Sequence, residues 1–270
     1  MNVVLLAERA EFPDPVLSCR KRIERRIGGF VEAGAHNAVV LEELSRVSSD
    51  VAVSVLDSFH RDPDLPEARS ALLAYTRIIL EPDRGFSYYI AGRWYRKAVE
   101  SGYISVAMAL LSIPPHRVRG PSDELPSDPL LSELELGWRK TKARGTDRGL
   151  LLRLLSDPTI EVIRILLQNP KIVEADVIRA AAKRPIGADV LTLIATHSRW
   201  MSSKAVRKTI VLNPYTPTNI SVLLAPLLPT PDLKSIAVDG NLHPVLQRVA
   251  AYLASVRHGQ SLRGSAEIDD

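Results

Sequence analysis

A single cysteine, Cys19, stands in 270 residues. No disulfide can therefore close within the chain, and no cluster of thiolates can hold a metal. Aromatic side chains are scarce, 5% of residues against 46% for all apolar types. Leu, Ala, Val and Ile must then carry the core, a mixture that suits helix packed on helix. The six histidines, His36, His60, His116, His197, His243 and His258, never fall at H-x-x-x-H or H-E-x-x-H spacing, so a zinc site has no support. A G-x-S-x-G elbow, a P-loop and a G-x-G-x-x-G turn are missing too, which leaves nucleophilic catalysis and phosphate cradling without their usual scaffolds. The sequence thus calls for no cofactor and no metal, and it favours a non-catalytic role. The opening MNVVLLAERAEF has no basic residue before its short apolar run and acids soon after it. It fits neither a secretory signal nor a membrane span, and the expected location is the cytoplasm.

Proline, by contrast, is plentiful, with 19 in the chain. The residue before a proline is pushed out of the α region, and proline opens a helix more cheaply than it sits inside one. Each X-Pro pair in the stretch 157–215, among them Asn169-Pro170, Arg184-Pro185 and Asn213-Pro214, thus marks a seam between short apolar-periodic segments. Pro158, Pro185, Pro214 and Pro244 are 27, 29 and 30 residues apart, a near-constant period of the kind a two-helix repeat produces. Asp157-Pro158 reads as a capping side chain before a proline at the first helical position, and Thr216-Pro217 and Thr230-Pro231 are expected to repeat the device. After Pro158, Glu161, Arg164 and Gln168 form one polar stripe while Val162, Ile163, Leu166 and Leu167 fill other sides. That helix needs cover on most of its surface.

The first half is also expected to be helical. Apolar residues recur at steps of three and four in six segments, near 16–28, 37–47, 49–60, 66–80, 87–100 and 103–112. Five prolines between 114 and 129 cannot continue a helix. The expected organisation is a helical region over 1–113, a proline-rich connection over 114–129, a repeat array over 130–258 and a frayed tail over 259–270. An apolar stripe at Ile220, Leu223, Leu224, Leu227 and Leu228 is interrupted by Pro226, which should end or kink its helix.

These residues bear a family resemblance. The array resembles the HEAT-like repeats, including the leucine-rich-repeat-variant type. The run 136–243, about 40% of the chain, is similar to bacterial proteins of undefined activity with a pattern that stands here as Arg164-Ile165-Leu166-Leu167, Asn169-Pro170, Arg184-Pro185, Trp200, Val206-Arg207, Asn213-Pro214 and Thr216-Pro217. Ile165 departs from it, since asparagine often stands there. The resemblance implies an all-α helical-repeat solenoid and brings no activity with it.

Charge is uneven. Residues 1–137 hold 16 Lys and Arg against 20 Asp and Glu, and residues 138–270 hold 19 against 11. The second half therefore suits an anionic partner. Its candidate binding face is Arg164, Arg179, Lys183, Arg184, Arg199, Lys204, Arg207 and Lys208 with Trp200 among them. On a repeat array such a face could meet an acidic protein surface or, alternatively, nucleic acid. The HEAT-like DNA glycosylases that the array resembles would add an acid, for which Asp176 and Asp189 are candidates. Two other basic runs, Arg20 to Arg26 and Arg93-Trp94-Tyr95-Arg96-Lys97, have the composition of phosphate and base contacts. Solvated helix faces with the aromatics turned inward are the favoured reading of both. The leading expectation is a scaffold for protein–protein interaction, with no membrane association.

Overall fold

A computed structural model of the chain describes residues 14–81, 87–118, 120, 128, 131 and 133–264, with side chains to 257. Among them every regular element is helical: sixteen α-helices and one 3-10 turn, with no strand. Most of the proline-rich stretch and the last six residues lie outside the described residues. The described residues divide into two compact units, one within 1–112, 222–240 and 244–270, the other within 113–221 and 241–243. The last two helices cluster with the first unit.

In the first unit, six helices follow in order: α1 (Asp14–Gly28), α2 (Ala33–Ser45), α3 (Ser49–Arg61), α4 (Pro66–Leu80), α5 (Tyr88–Glu100) and α6 (Ile104–Ala109). Ser48 and Ser87 cap α3 and α5 by accepting the N–H groups of Val51 and Ile90, which satisfies donors that the first turn leaves orphaned. Three arginines of α1 are tied into the unit, while Lys21 and Arg25 stay exposed. Arg22 and Arg26 hold the buried Glu43 of α2 at 2.9 and 2.7 Å, and Arg20 reaches the Ser58 and Asp62 carbonyls at the end of α3. In α5, Trp94 and Ala98 are buried while Lys97 pairs with Asp50 and Glu100.

The same unit takes in the 3-10 turn Ala225–Leu227, α15 (Thr230–Val238) and α16 (Pro244–Gly264). Pro226 explains the turn, because it removes the hydrogen bond an α-helix would need there. α16 packs on α15, α3 and α6. Arg257 donates to the Leu228, Pro226 and His60 carbonyls at 2.8, 2.6 and 2.7 Å, and Tyr252 donates to Asp57 while accepting from Arg61. These contacts, nearly 200 residues apart in sequence for His60 and Asp57, are what draw the C-terminal helix to the first unit.

In the second unit the helices are shorter: α7 (Leu136–Ala143), α8 (Arg148–Leu154), α9 (Ile160–Gln168), α10 (Glu174–Ala181), α11 (Ala188–Thr196), α12 (Ser198–Met201) and α13 (Lys204–Val211). A further helix, α14 (Thr218–Leu224), carries the chain out of it. Helices two or three apart in the chain pack together, α7 on α9, α9 on α11, and α10 on α13. Val162, Leu166 and Leu167 of α9 are fully buried and Ile163 nearly so, as a helix packed on both sides requires.

Three capping expectations are corrected here. α9 begins at Ile160, so Asp157 serves a turn ahead of the helix, its Oδ1 accepting the Thr159 N–H at 2.9 Å. Thr216 donates its hydroxyl to the Ile210 carbonyl, and Thr230 lies inside α15 behind Pro229. Neither threonine caps the helix that follows it.

Candidate binding cleft and the fate of the basic side chains

Short helices expose a large fraction of unpaired backbone, because the last four carbonyls of each have no partner within the helix. In the second unit, side chains from other segments fill that need. Asn169, just past α9, donates through Nδ2 to the Ala143 and Gly145 carbonyls at the end of α7, at 2.8 and 2.9 Å. Asn213, just past α13, does the same for the Ala181 and Lys183 carbonyls at the end of α10, at 2.7 and 3.0 Å. In both, the side-chain oxygen accepts the N–H two residues on, from Lys171 and Tyr215. One Asn-Pro pair thus ends its own helix and closes the end of the helix it packs on.

The predicted basic residues continue the pattern. Arg199 donates to the Asn169 and Ile172 carbonyls and lies 4.1 Å from the centre of the Trp200 ring. Trp200 is buried and donates to the Leu167 carbonyl at 2.9 Å. Arg207 is buried and donates to the Met201 and Ser202 carbonyls at 2.6 and 3.0 Å. Arg184 reaches the Leu212 carbonyl at 2.7 Å, and Lys183 reaches the Leu155 carbonyl at 3.3 Å. Of the seven helices α7 to α13, six have a C-terminal carbonyl closed in this way. Cations suit those positions, since the helix dipole is negative there.

The remaining members, Arg164, Arg179, Lys204 and Lys208, are exposed. Arg179, Lys204 and Lys208 lie on the packed pair α10 and α13, and Arg164 lies on α9. The two candidate acids part company. Asp176 is buried and held by Arg148 through two bonds of 2.5 and 2.6 Å. Burial pushes its carboxyl upward, but the hydrogen bonds from Arg148 and from the Val173 N–H outweigh that and hold it below the usual range. A carboxylate so committed is a poor general base. Asp189 is exposed and accepts the Val190 N–H at 3.0 Å.

Lys183, Arg184 and Asp189 do meet, at a cleft of ≈ 410 Å³ in the second unit. The end of α8 forms one side, with Leu155, Ser156, Asp157 and Pro158, and Ile163 of α9 adds to it. The connection from α10 to α11 forms the other, from Lys183 to Gly187, with a cis peptide between Arg184 and Pro185. Asp157 is buried and bound by Arg139 at 2.6 and 2.7 Å. Burial lowers the pKa of the Lys183 ammonium, which donates to the Ser156 hydroxyl as well as to Leu155. The lining mixes apolar walls with a few polar groups, the composition of small-ligand sites.

Three features of this region went unread in the sequence: the two asparagines as donors, the Arg139 and Arg148 ion pairs, and Ser156 to Pro158 as a wall. The repeated Asn-Pro pair was the available signal for the first. In the first unit, His60 and Ser105 lie 2.8 Å apart, a spacing open to nucleophilic catalysis. Both are fully buried, so no substrate reaches them. Among the described residues no cluster of metal-ligating side chains occurs and no helix is long and apolar enough to cross a membrane. No protein-family model, curated protein or solved structure matches the chain.

Proposed function

We propose that the chain is a non-catalytic cytoplasmic scaffold, its second unit a HEAT-like stack of helices, that works by holding another protein. The observation that supports this most is the closure of six helix ends by side chains from other segments. Such ties fix short helices against one another, and a surface fixed before binding loses less entropy when a partner arrives. Helices that pack in succession bury a continuous core and leave loops and outer faces for recognition. The exposed Arg164, Arg179, Lys204 and Lys208 favour an acidic partner surface.

Nucleic acid is the weaker reading, because Lys183, Arg184, Arg199 and Arg207 spend hydrogen bonds on the protein's own carbonyls. A protein that neutralises several phosphates loses affinity steeply with salt. Salt-titrated binding to random duplex and single-stranded DNA tests the two readings. Weak or absent binding at low salt is expected, and tight binding whose logarithm falls linearly with log salt overturns the scaffold reading in favour of nucleic acid.

A further inference from the structure

The cleft beside Lys183 contains an electrostatic imbalance. Its walls at Leu155, Pro158, Ile163, Pro185, Ile186 and Val190 are apolar, and two cations, Lys183 and Arg184, belong to its lining. Among the described residues neither Lys183 nor Arg184 has a carboxylate partner; they donate to two carbonyls and one hydroxyl. An ammonium carries three donors and a guanidinium five, so both retain N–H groups for a further acceptor. The acids nearby do not supply the missing charge. Asp157 is matched by Arg139, which leaves the single carboxylate of Asp189 against two cations in the lining.

We propose that this cleft binds the free C-terminal carboxylate of a partner polypeptide whose last side chain is apolar. The carboxylate meets Lys183 and Arg184, and the terminal side chain lies against Leu155, Ile163 and Ile186. A chain end suits the site because one carbon carries both the charge and the apolar group, whereas an internal Asp or Glu brings charge without it. Hydrogen bonds between ionised partners are about twice as strong as neutral ones, so the free acid is preferred over its amide. The cleft volume lies within the ~300–1,000 Å³ range of small-ligand sites. This assignment rests on the protein-binding reading and adds to it the part of the partner that is recognised.

The test uses the full chain and fluorescence anisotropy with labelled random hexapeptides ending in free Leu, Ile or Val, beside the same libraries as C-terminal amides. Free acids should bind about tenfold or more tighter than amides. Lys183→Met should remove that difference. Because Lys183 also ties the end of α8 and Arg184 the end of α13 through a solvent-exposed bond, Arg184→Gln serves as a second variant, and it should reduce the preference while leaving binding of the amides, the control for folding, unchanged. Asp189→Asn should tighten free-acid binding by removing a like charge. Equal affinity for acids and amides, or no saturable binding up to about 1 mM, the weak end of specific recognition, overturns the proposal. So does binding of hexanoate without any of the peptides, which would make the site one for free acids. If Lys183→Met retains a stoichiometric protein partner in affinity isolation, the cleft assignment falls while the scaffold reading stands.

Discussion

His60 provides a test that reads the first unit's core directly. Its ring is fully buried between α3 and α6, with Nδ1 2.8 Å from the Ser105 hydroxyl and the Tyr75 ring centre at 6.4 Å. Burial, and then the nearby Arg257 charge, push its pKa from 6.5 down to about 3. The sign follows from where the proton goes. As pH falls below 6.5 the unfolded chain takes up a proton that the folded chain refuses, so stability falls with pH until about 3. Each pH unit inside that window is worth ~1.4 kcal/mol. From pH 8 to pH 5 about one and a half units lie inside it, a loss of about 2 kcal/mol. Comparing wild type with His60→Gln cancels what the carboxylates contribute. Urea unfolding of both proteins at pH 8 and pH 5 should show wild type losing about 2 kcal/mol more than the variant. Parallel losses would mean that His60 titrates normally and that the α3–α6 contact is open to water.

Other expectations follow from burial and hydrogen bonding. Leu166→Ala or Leu167→Ala in α9 should cost about 2–5 kcal/mol, the range for truncating a buried leucine, and less than about 1 kcal/mol for both in urea titrations would show that α9 is not an inner helix. Asn213→Ala strands two carbonyls at the end of α10 and should cost about 1–3 kcal/mol; faster amide exchange confined to α10 and α13 locates the loss, and unchanged exchange there contradicts the capping role. Lys204→Glu with Lys208→Glu should slow association with an acidic partner more than it speeds dissociation, measured by stopped flow at two salt concentrations. Arg207 is unsuited to that experiment because it is buried, and reversing it would unfold as well as repel.

Helices and their limits were legible because apolar periodicity and X-Pro seams are local signals. All six expected helices of the first half are present, and Leu166 and Leu167 are buried as their positions on α9 require. Pairing was not legible. Arg199 and Asn213 find carbonyls about 30 residues away, and nothing in their own segments distinguishes a cation that closes a helix end from one that faces water. Charge run and helix face are the same pattern in sequence, as α1 illustrates, where Arg22 and Arg26 turn to the buried Glu43. The assignment of α16 to the first unit depended on Arg257 and Tyr252 meeting residues nearly 200 positions earlier. The cleft depended on the end of α8 meeting the loop after α10; of its lining, the sequence marks Lys183, Arg184 and Asp189 as site candidates, and Asp157, Pro158, Ile163 and Pro185 only as helix signals.

The central claim, that the chain holds another protein, is tested most directly by affinity isolation of the tagged full chain from native lysate, in parallel with and without nuclease, followed by quantitative mass spectrometry. The scaffold reading predicts one protein recovered in stoichiometric amount in both arms, with loss on raising salt if its surface is acidic. Recovery that vanishes with nuclease, or no stoichiometric partner alongside measurable turnover of a substrate, would contradict it.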